Sequence, residues 1–406
     1  MNSIQKYWLV LYSYSFLWKE KDQGIIYNSK NFKSITFSIT ENINKLLMLL
    51  SNIDNLYSVE ITQLDIIESD MQNLITQILS IKAGKLVKQE PNKIKPISFF
   101  PLLKIETDYN QIIREINENE YINFLSYLSE VTFYINGSAN GNNKYYKQIP
   151  WPLKSKDSLS IETIKKYINL LSNRENIIIN IIGDIFNYKD YKTLINIIKK
   201  KSLHVKLMIL DKDIISNIED FIKTDFDKIE ITVLCEDILQ FFNIEKLKST
   251  HKFNINYLFT VTSEIKLRQI LKVIDETNLK KYTIMPLFNG NNISFFKRNV
   301  YTDIEDLKNI KLSKREIFLN QAINVFNFGK LAFLTNGKIY ANVNHESIGS
   351  INENIISVIF KEITDGTSWR MVRDKEPCCD CIYQWLCPSP SNYELVINKL
   401  NLCLYK

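Results

Sequence analysis

The spacing of hydrophobic positions changes near residue 130, and this change divides the chain into two kinds of structure. Before it, short alternating runs are separated by turn residues, which is typical of antiparallel strands. After it, continuous apolar runs alternate with amphipathic stretches. Strands that are buried on both faces lose the alternation, so this pattern predicts parallel strands joined by helices. Six such strands are predicted, at residues 131–135, 177–182, 205–209, 229–233, 253–259 and 282–287.

Residues 1–88 are predicted to form a winged-helix-like domain. Short strands fill residues 7–40. A helical period of apolar positions begins after Thr40, a residue type that caps helices, and two further helices are predicted at 62–67 and 70–82. Strands followed by three helices are the element order of a winged helix. The first helix would bury Ile43, Leu46, Leu47 and Leu50.

Residues 89–129 are predicted to be a linker followed by a helix. Three of the nine prolines lie between 88 and 101, which is typical of a linker. The alternating strands and helices then fill residues 130–330 as a partial (β/α)6 barrel, and residues 331–406 form a cysteine-rich C-terminal domain. The fold class is therefore α/β. The predicted core positions of the linker helix, residues 108–128, are Ile112, Ile116, Leu125 and Leu128.

Five of the six cysteines lie close to the end of the chain. Four of them follow the spacing C-x2-C-x5-C-x15-C, and thiolates gathered this tightly usually hold one metal centre. The spacing suits both a zinc ion and an iron–sulfur cluster. Cys379 is taken as a spare, because pairing Cys381 with Cys378 gives the usual two-residue loop. The predicted ligands are Cys378, Cys381, Cys387 and Cys403.

Composition and charge argue against two classes of function, nucleic-acid binding and membrane insertion. The 51 Lys and Arg residues are interleaved with 45 Asp and Glu residues, and the net charge is +6. This mixture indicates a solvated surface without a nucleic-acid footprint. No apolar run is long enough to cross a membrane and no signal peptide precedes the strands, so we expect a cytoplasmic protein with no membrane partner. In that compartment clustered cysteines favour metal over disulfides.

The N-terminal region resembles the leader-peptide recognition elements of ribosomal-peptide maturation systems. The resemblance is carried by Phe16-Leu17-Trp18, Ile25-Ile26-Tyr27-Asn28 and Gly84-Lys85-Leu86-Val87. It implies that an extended leader peptide adds to an edge strand at about 32–38 and packs on the third helix. The alternative is a structural winged helix with no peptide ligand. The implied peptide contacts are Phe32, Ile35, Phe37, Leu74 and Ile78.

The order of barrel, glycine-led hairpin and cysteine cluster resembles the radical SAM enzymes with a C-terminal SPASM domain. That family implies two auxiliary 4Fe–4S clusters. The ligands of the second cluster match the four predicted cysteines. At the positions of the first cluster stand Ala341 or Asn342 and Ser391. The resemblance therefore implies one retained auxiliary cluster and one lost.

The first barrel loop departs from this family. Radical SAM enzymes carry C-x3-C-x2-C there, and residues 137–146 contain no cysteine. Without these thiolates no S-adenosylmethionine binding and no catalytic residue are expected. Aromatic residues of this loop either line a peptide groove or plug the mouth of the barrel. They are Tyr145, Tyr146 and Trp151.

A further resemblance is carried by the opening Lys6-Tyr7-Trp8-Leu9 and by the tail Leu386-Cys387-Pro388-Ser389-Pro390-Ser391-Asn392-Tyr393-Glu394. It covers nearly the whole chain, which closely resembles the degenerate, or pseudo-radical-SAM, SPASM proteins of Bacteroidota ribosomal-peptide (RiPP) maturation systems. The resemblance implies two partners, a RiPP precursor peptide and an authentic radical SAM maturase. One alternative is an enzyme that modifies a peptide by non-radical chemistry at the barrel mouth. Another is a zinc-stabilised scaffold. The carboxylates predicted near the carboxyl ends of the barrel strands are Asp184, Asp211, Glu230 and Glu236.

Overall fold

The N-terminal part of the chain contains two three-stranded antiparallel sheets, ordered β5-β1-β6 and β2-β3-β4, with three helices. The strands are Lys6–Leu11 (β1), Ser15–Glu20 (β2), Gln23–Asn28 (β3), Lys33–Ser38 (β4), Ser58–Thr62 (β5) and Gly84–Lys88 (β6), and the helices are Glu41–Ser51 (α1), Gln63–Ile67 (α2) and Ser69–Ser80 (α3). The structure is a computed structural model. It describes residues 5–103, 114, 124–172, 174, 176–200, 203–226, 229–250 and 253–405.

The N-terminal helices begin at clear sequence signals and bury one apolar face each. The side chain of Thr40 caps α1 and the side chain of Thr62 caps α2, as their hydroxyls accept backbone N–H groups that lack a partner inside the helix. The predicted stripe of α1 is buried. Strand β5, which precedes α2 and pairs with β1, was not predicted. The winged-helix interpretation of this region therefore stays a prediction.

The α/β class is confirmed by a large, mostly parallel sheet of nine strands. Its order is β12-β11-β10-β9-β8-β7-β13-β14-β15, and both ends are free, so the sheet is open. All six predicted parallel strands are present. They are Glu130–Tyr134 (β7), Ile178–Ile182 (β8), His204–Leu210 (β9), Glu230–Cys235 (β10), Ile255–Val261 (β11) and Tyr282–Pro286 (β12).

The sheet continues through the predicted boundary between residues 330 and 331. Strand β13 starts at Lys330 and pairs with β7 in parallel, and β14 and β15 extend the sheet antiparallel. The C-terminal region is therefore joined to the barrel by backbone hydrogen bonds. The three added strands are Lys330–Phe333 (β13), Lys338–Tyr340 (β14) and Gly349–Ser350 (β15).

Helices connect the parallel strands and cover the outer face of the sheet. The predicted helix at 213–223 is divided in two at Asn217, and most of the predicted linker helix lies outside the described residues. No helix in the described ranges combines the length and apolarity needed to cross a bilayer. The described helices are Ile161–Leu171 (α4), Tyr191–Lys199 (α5), Asp211–Ser216 (α6), Ile218–Lys223 (α7), Ile238–Thr250 (α8), Glu264–Thr277 (α9), Ile293–Asn299 (α10), Ile304–Lys308 (α11), Lys314–Ala322 (α12), Ile355–Asp365 (α13) and Asn392–Ile397 (α14).

The inner face of the sheet is packed by the first barrel loop, residues 135–160. Trp151 is fully buried and forms one apolar cluster with Ile149 and Leu153 of the same loop. Tyr145 and Tyr146 pack against this cluster. The strands contribute Tyr134, Ile182, Met208, Leu210, Leu234 and Leu287 to it. The loop therefore fills this part of the barrel with side chains.

Hydrogen bonds hold the first barrel loop in a compact form. Asp213 accepts from the Ser138 hydroxyl at 2.8 Å and from the Asn140 side-chain amide at 2.8 Å. Gly141 lies against the returning chain so closely that a Cβ there would be 2.5 Å from the Leu153 carbonyl oxygen. The loop is therefore fastened to the barrel at its start and folded back on itself.

Because Trp151 fills the barrel, we expect Trp151→Ala to lower the free energy of unfolding by about 3–5 kcal/mol. Phe99→Ala is the matched control, since Phe99 is 71% exposed and its loss should change stability by about 0.5 kcal/mol or less. Chemical denaturation followed by far-UV circular dichroism measures both. A Trp151→Ala protein as stable as the control would contradict the packing described above.

Candidate functional site

The cysteine segment, residues 377–405, places its four predicted ligands around one cavity. The cavity has a volume of about 40 Å³, and Cys378, Cys381, Cys387 and Cys403 all line it. Apart from helix α14, the segment has almost no regular secondary structure. Side-chain contacts, and not a helix or sheet, therefore position these thiols.

The four thiols influence one another electrostatically. Burial, opposed by Arg373 and aided by the thiols of Cys381, Cys403 and Cys378, raises the pKa of Cys387 to about 12. At neutral pH the Cys387 thiol therefore keeps its proton unless a cation takes the proton's place. Metal binding at this cavity would release protons, as it does wherever thiols become ligands.

The remaining cysteines lie apart from this group. Cys379 is not among the residues that line the cavity, and its thiol donates to the Asp380 carboxylate at 3.3 Å. Cys235 is fully buried in the barrel core at the end of β10. Cys378 lines the cavity and its neighbour Cys379 does not. The structure thus distinguishes the two cysteines, whereas spacing alone does not say which of them is the ligand.

A buried ion pair lies beside the thiols. Arg373 donates to the Cys378 sulfur at 3.6 Å and to the Glu394 carboxylate at 2.9 Å. Glu394 in turn accepts the backbone N–H of Ser391 at 2.5 Å and so caps helix α14. Ser391, which stands where the family resemblance implies a further ligand, therefore serves as a helix cap. Through this chain of contacts α14 is connected to the cysteine cavity.

The thiols share a cavity but do not meet at a single point. Within the part of the chain that the structure describes, no three His, Cys, Asp or Glu side chains are arranged to hold a metal ion. The role of these cysteines as metal ligands stays a prediction.

The predicted peptide surface lies on β4, an edge strand that pairs with β3 alone. Ile35 and Phe37 are half-buried against the N-terminal core, and Phe32 is exposed at the turn that precedes β4. Leu74 and Ile78 of α3 belong to that core and are buried. A peptide that paired with β4 would therefore meet Phe32 and the backbone of the edge, while Leu74 and Ile78 support the strand from beneath.

The carboxylates at the carboxyl ends of the barrel strands are engaged in structural hydrogen bonds. Asp211 is fully buried and accepts the backbone N–H groups of Glu236 and Asp237 at 2.9 and 3.0 Å. Burial raises the pKa of Asp211, because a low-dielectric site disfavours the charged form. Asp184 accepts from the Asn187 side chain. Three of the four predicted positions therefore lie at this end of the barrel.

The placement of Glu230 was predicted wrongly. This residue begins β10 and so lies at the amino end of the strand, where it accepts from His204 at 2.9 Å and pairs with Lys206 at 3.4 Å. Glu230 is the second residue of the predicted strand 229–233, so the start of that strand was mistaken for its end.

Sequence reasoning missed the residues that hold the site together. Arg373, Glu394 and Asp213 each make several hydrogen bonds to distant residues. Arg373 precedes the cysteines in an irregular stretch, and single charged residues of this kind have no local pattern that marks them. A charged residue close to a run of thiols was the only available signal.

Comparisons with known proteins give distant likenesses only. No protein-family model matches the chain, and no curated protein matches it significantly. Among solved structures, the chain is similar to Streptococcus suis SuiB bound to precursor peptide SuiA, with a TM-score of 0.43 and 11% identity over 97% of this chain and 98% of that one. It is also similar to BtrN in complex with AdoMet and 2-DOIA, with a TM-score of 0.31 and 14% identity over 59% of this chain and 85% of BtrN. At these scores the likenesses assign no function to the chain.

Proposed function

We propose that this chain is a non-catalytic accessory protein that binds a RiPP precursor peptide and assists a separate radical SAM maturase. The observation that carries the proposal is the packing of the first barrel loop. In a radical SAM enzyme this loop holds the catalytic cluster. Here Trp151 and its neighbours occupy the inner face of the sheet instead.

The hydrogen bonds of the loop support the same conclusion. Asp213 binds both Ser138 and Asn140, and the loop carries no thiol that could replace the three missing cysteines. Opening the barrel for a cofactor would expose the buried Trp151 and break these bonds, which costs several kcal/mol. A chain built in this way depends on a partner for radical chemistry.

We propose one 4Fe–4S cluster at the cysteine cavity. A single zinc ion needs every sulfur at about 2.3 Å from its centre, whereas a cluster is held by thiolates that bind separate irons. The choice of the cluster over zinc rests on the resemblance to the SPASM domain, whose second cluster takes four cysteines at this spacing. When bound, such a group supplies a structural crosslink among residues 378–403. Arg373 would donate to a ligand sulfur and balance part of the negative charge.

The proposed peptide site is the free edge of β4. An edge strand presents unpaired backbone groups, and an extended peptide can pair with them by strand addition. Phe32, at 38% exposure, offers an apolar contact beside the edge. The half-buried Ile35 and Phe37 hold the strand on the helices, so the edge is present before the peptide binds.

For the metal centre, we expect protein purified without oxygen to be brown and to contain about four irons per chain. Cys387→Ser should lose most of this iron, since a serine oxygen is a poorer ligand for iron–sulfur clusters than a thiolate. Cys379→Ser is the matched control and should retain it. Metal analysis by mass spectrometry gives both values.

Two results would contradict the cluster. The first is a colourless wild-type protein with one zinc per chain, which would favour the zinc scaffold. The second is equal iron loss in Cys379→Ser and Cys387→Ser, which would show that the cavity does not select the ligands.

For the peptide site, the probe is a fluorescein-labelled synthetic leader peptide of a RiPP precursor. We expect Ile35→Pro to weaken binding at least about tenfold, because proline removes a backbone donor and disturbs the edge strand. Ile94→Pro, at a position that is 93% exposed in the linker, should bind as the wild type does. Fluorescence anisotropy measures both, and circular dichroism confirms that each variant is folded.

Unchanged affinity in a folded Ile35→Pro protein would refute the β4 site. If that variant fails to fold, Phe32→Asp takes its place and Phe242→Asp, an exposed position on α8, becomes the control.

A further inference from the structure

We propose that occupancy of the cysteine cavity controls the rigidity of the β2–β3–β4 sheet and thereby the peptide edge. The inference rests on the proposed function, because it takes the cavity as a metal centre and β4 as the peptide edge. It adds that the order of the peptide edge depends on metal in the cysteine cavity. Metal loss would loosen the sheet, and the chain would then capture peptide only when its centre is intact.

Strand β3 and the first half of β2 are buried on both faces, which is unusual for a small antiparallel sheet, while β4 at the edge is partly exposed. Leu17 and Ile26 point to the N-terminal helices and join their core. On the opposite face Phe16, Ile25 and Tyr27 join a different cluster. Antiparallel sheets commonly leave one face to solvent. Because the second face of this sheet is apolar and buried, another part of the chain must cover it.

The cover is supplied by the cysteine segment. Ile382, Tyr383 and Leu386 are buried in the same cluster as the second face of the sheet. The predicted ligands Cys381, Cys387 and Cys403 pack against that cluster too. The residues that would bind metal and the residues that cover the sheet are therefore neighbours within one short stretch of chain. The helices α11 and α12 contribute Leu307 and Ile317.

Polar contacts fix the position of the sheet on this cover. The Tyr27 hydroxyl donates to the Leu312 carbonyl oxygen at 2.9 Å and accepts the Leu312 N–H at 2.7 Å. The Tyr405 hydroxyl contacts Gln23 at 3.1 Å, and Lys21 pairs with Asp380 at 3.5 Å. Two of these three contacts reach residues of the cysteine segment itself.

The order of the cysteine segment would depend on its metal. The segment is nearly free of regular structure, and its backbone hydrogen bonds are mostly those of short turns, such as Cys387 N–H to the Tyr383 carbonyl oxygen at 3.0 Å. In such segments the free energy of metal binding is largely the free energy of folding. Removing the metal would then free Ile382, Tyr383 and Leu386, and the second face of the sheet would lose its cover.

Loss of the cover would affect the peptide edge at β4 through the backbone pairing of β3 with β4. Tyr27 of β3 faces the cover and pairs with Ser34 of β4, and the adjacent Ile26 pairs with Ile35. Among the described strands β4 pairs with β3 alone, while Ile35 and Phe37 rest on the N-terminal core. Loosening of β3 therefore weakens the backbone pairing that keeps the edge in place. The barrel strands β8 and β9 lie in a separate sheet and core and should not respond.

Hydrogen–deuterium exchange of the full-length protein tests the inference without a peptide. The anaerobically purified, metal-loaded protein is compared with the same protein stripped by ferricyanide and EDTA. We expect amides of residues 15–38 to exchange at least about tenfold faster after stripping, because a local opening has become easier. Amides of β8 and β9 should be unchanged.

Matched variants separate the effect of the contacts that cover the sheet from the effect of the metal. In loaded protein, Tyr27→Phe removes the hydroxyl that binds Leu312 and should speed exchange in residues 15–38 at full metal content. Tyr188→Phe removes an equally buried hydroxyl bond, to the Leu159 carbonyl at 2.8 Å, and should leave that exchange unchanged.

Equal exchange of residues 15–38 in loaded and stripped protein overturns the inference, and so does a loss of protection that extends to β8 and β9. A protein that binds no metal overturns both this inference and the proposed centre. If the exchange difference is present but the labelled leader peptide does not bind, the proposed peptide function fails and the coupling stands.

Discussion

The contact between the cysteine segment and the second face of the β2–β3–β4 sheet is the interaction on which the remaining structure depends. Phe16, Ile25 and Tyr27 are buried there against Tyr383 and Leu386. Helix α12 adds to this contact, since Lys314 donates to the Ser13 carbonyl oxygen at 3.0 Å. Together these contacts fix the sheet that offers a free edge against the place where the thiols gather. We therefore propose a structural role for the cysteine cavity.

A second constraint concerns the barrel. Parallel (β/α) barrels normally use the loops at the carboxyl ends of their strands for chemistry. In this chain the first of those loops folds inward, and Trp151 fills the space. Asp213 of helix α6, which follows β9, binds the loop through Ser138 and Asn140. The interior of the sheet is thus filled by the chain's own side chains.

The sequence was sufficient for the parts of the fold that follow a repeating pattern. Uninterrupted apolar runs predicted the six parallel strands, because strands covered on both faces cannot alternate. This reasoning was not applied to Phe16-Leu17-Trp18 and Ile25-Ile26-Tyr27, which were interpreted as alternating strands although their apolar character is continuous and both faces are covered. Strand β5 was missed because its five residues lie between two helices.

The site was predictable only in part. The spacing of the cysteines drew attention to four thiols that line one cavity. The Arg373–Glu394 pair and the cover for the sheet arise from contacts between residues far apart in sequence, which no local pattern records. Whether Tyr145, Tyr146 and Trp151 line a groove or plug the barrel likewise depends on where a long loop folds. Their packing against the inner face of the sheet favours the plug.

The most direct test of the central claim is whether the metal-loaded chain cleaves S-adenosylmethionine. The anaerobic protein is incubated with S-adenosylmethionine and dithionite, and 5′-deoxyadenosine is quantified by liquid chromatography and mass spectrometry. The account predicts no product above a protein-free blank, because the first barrel loop has no thiols and fills the barrel. Formation of several equivalents of 5′-deoxyadenosine per chain would contradict it.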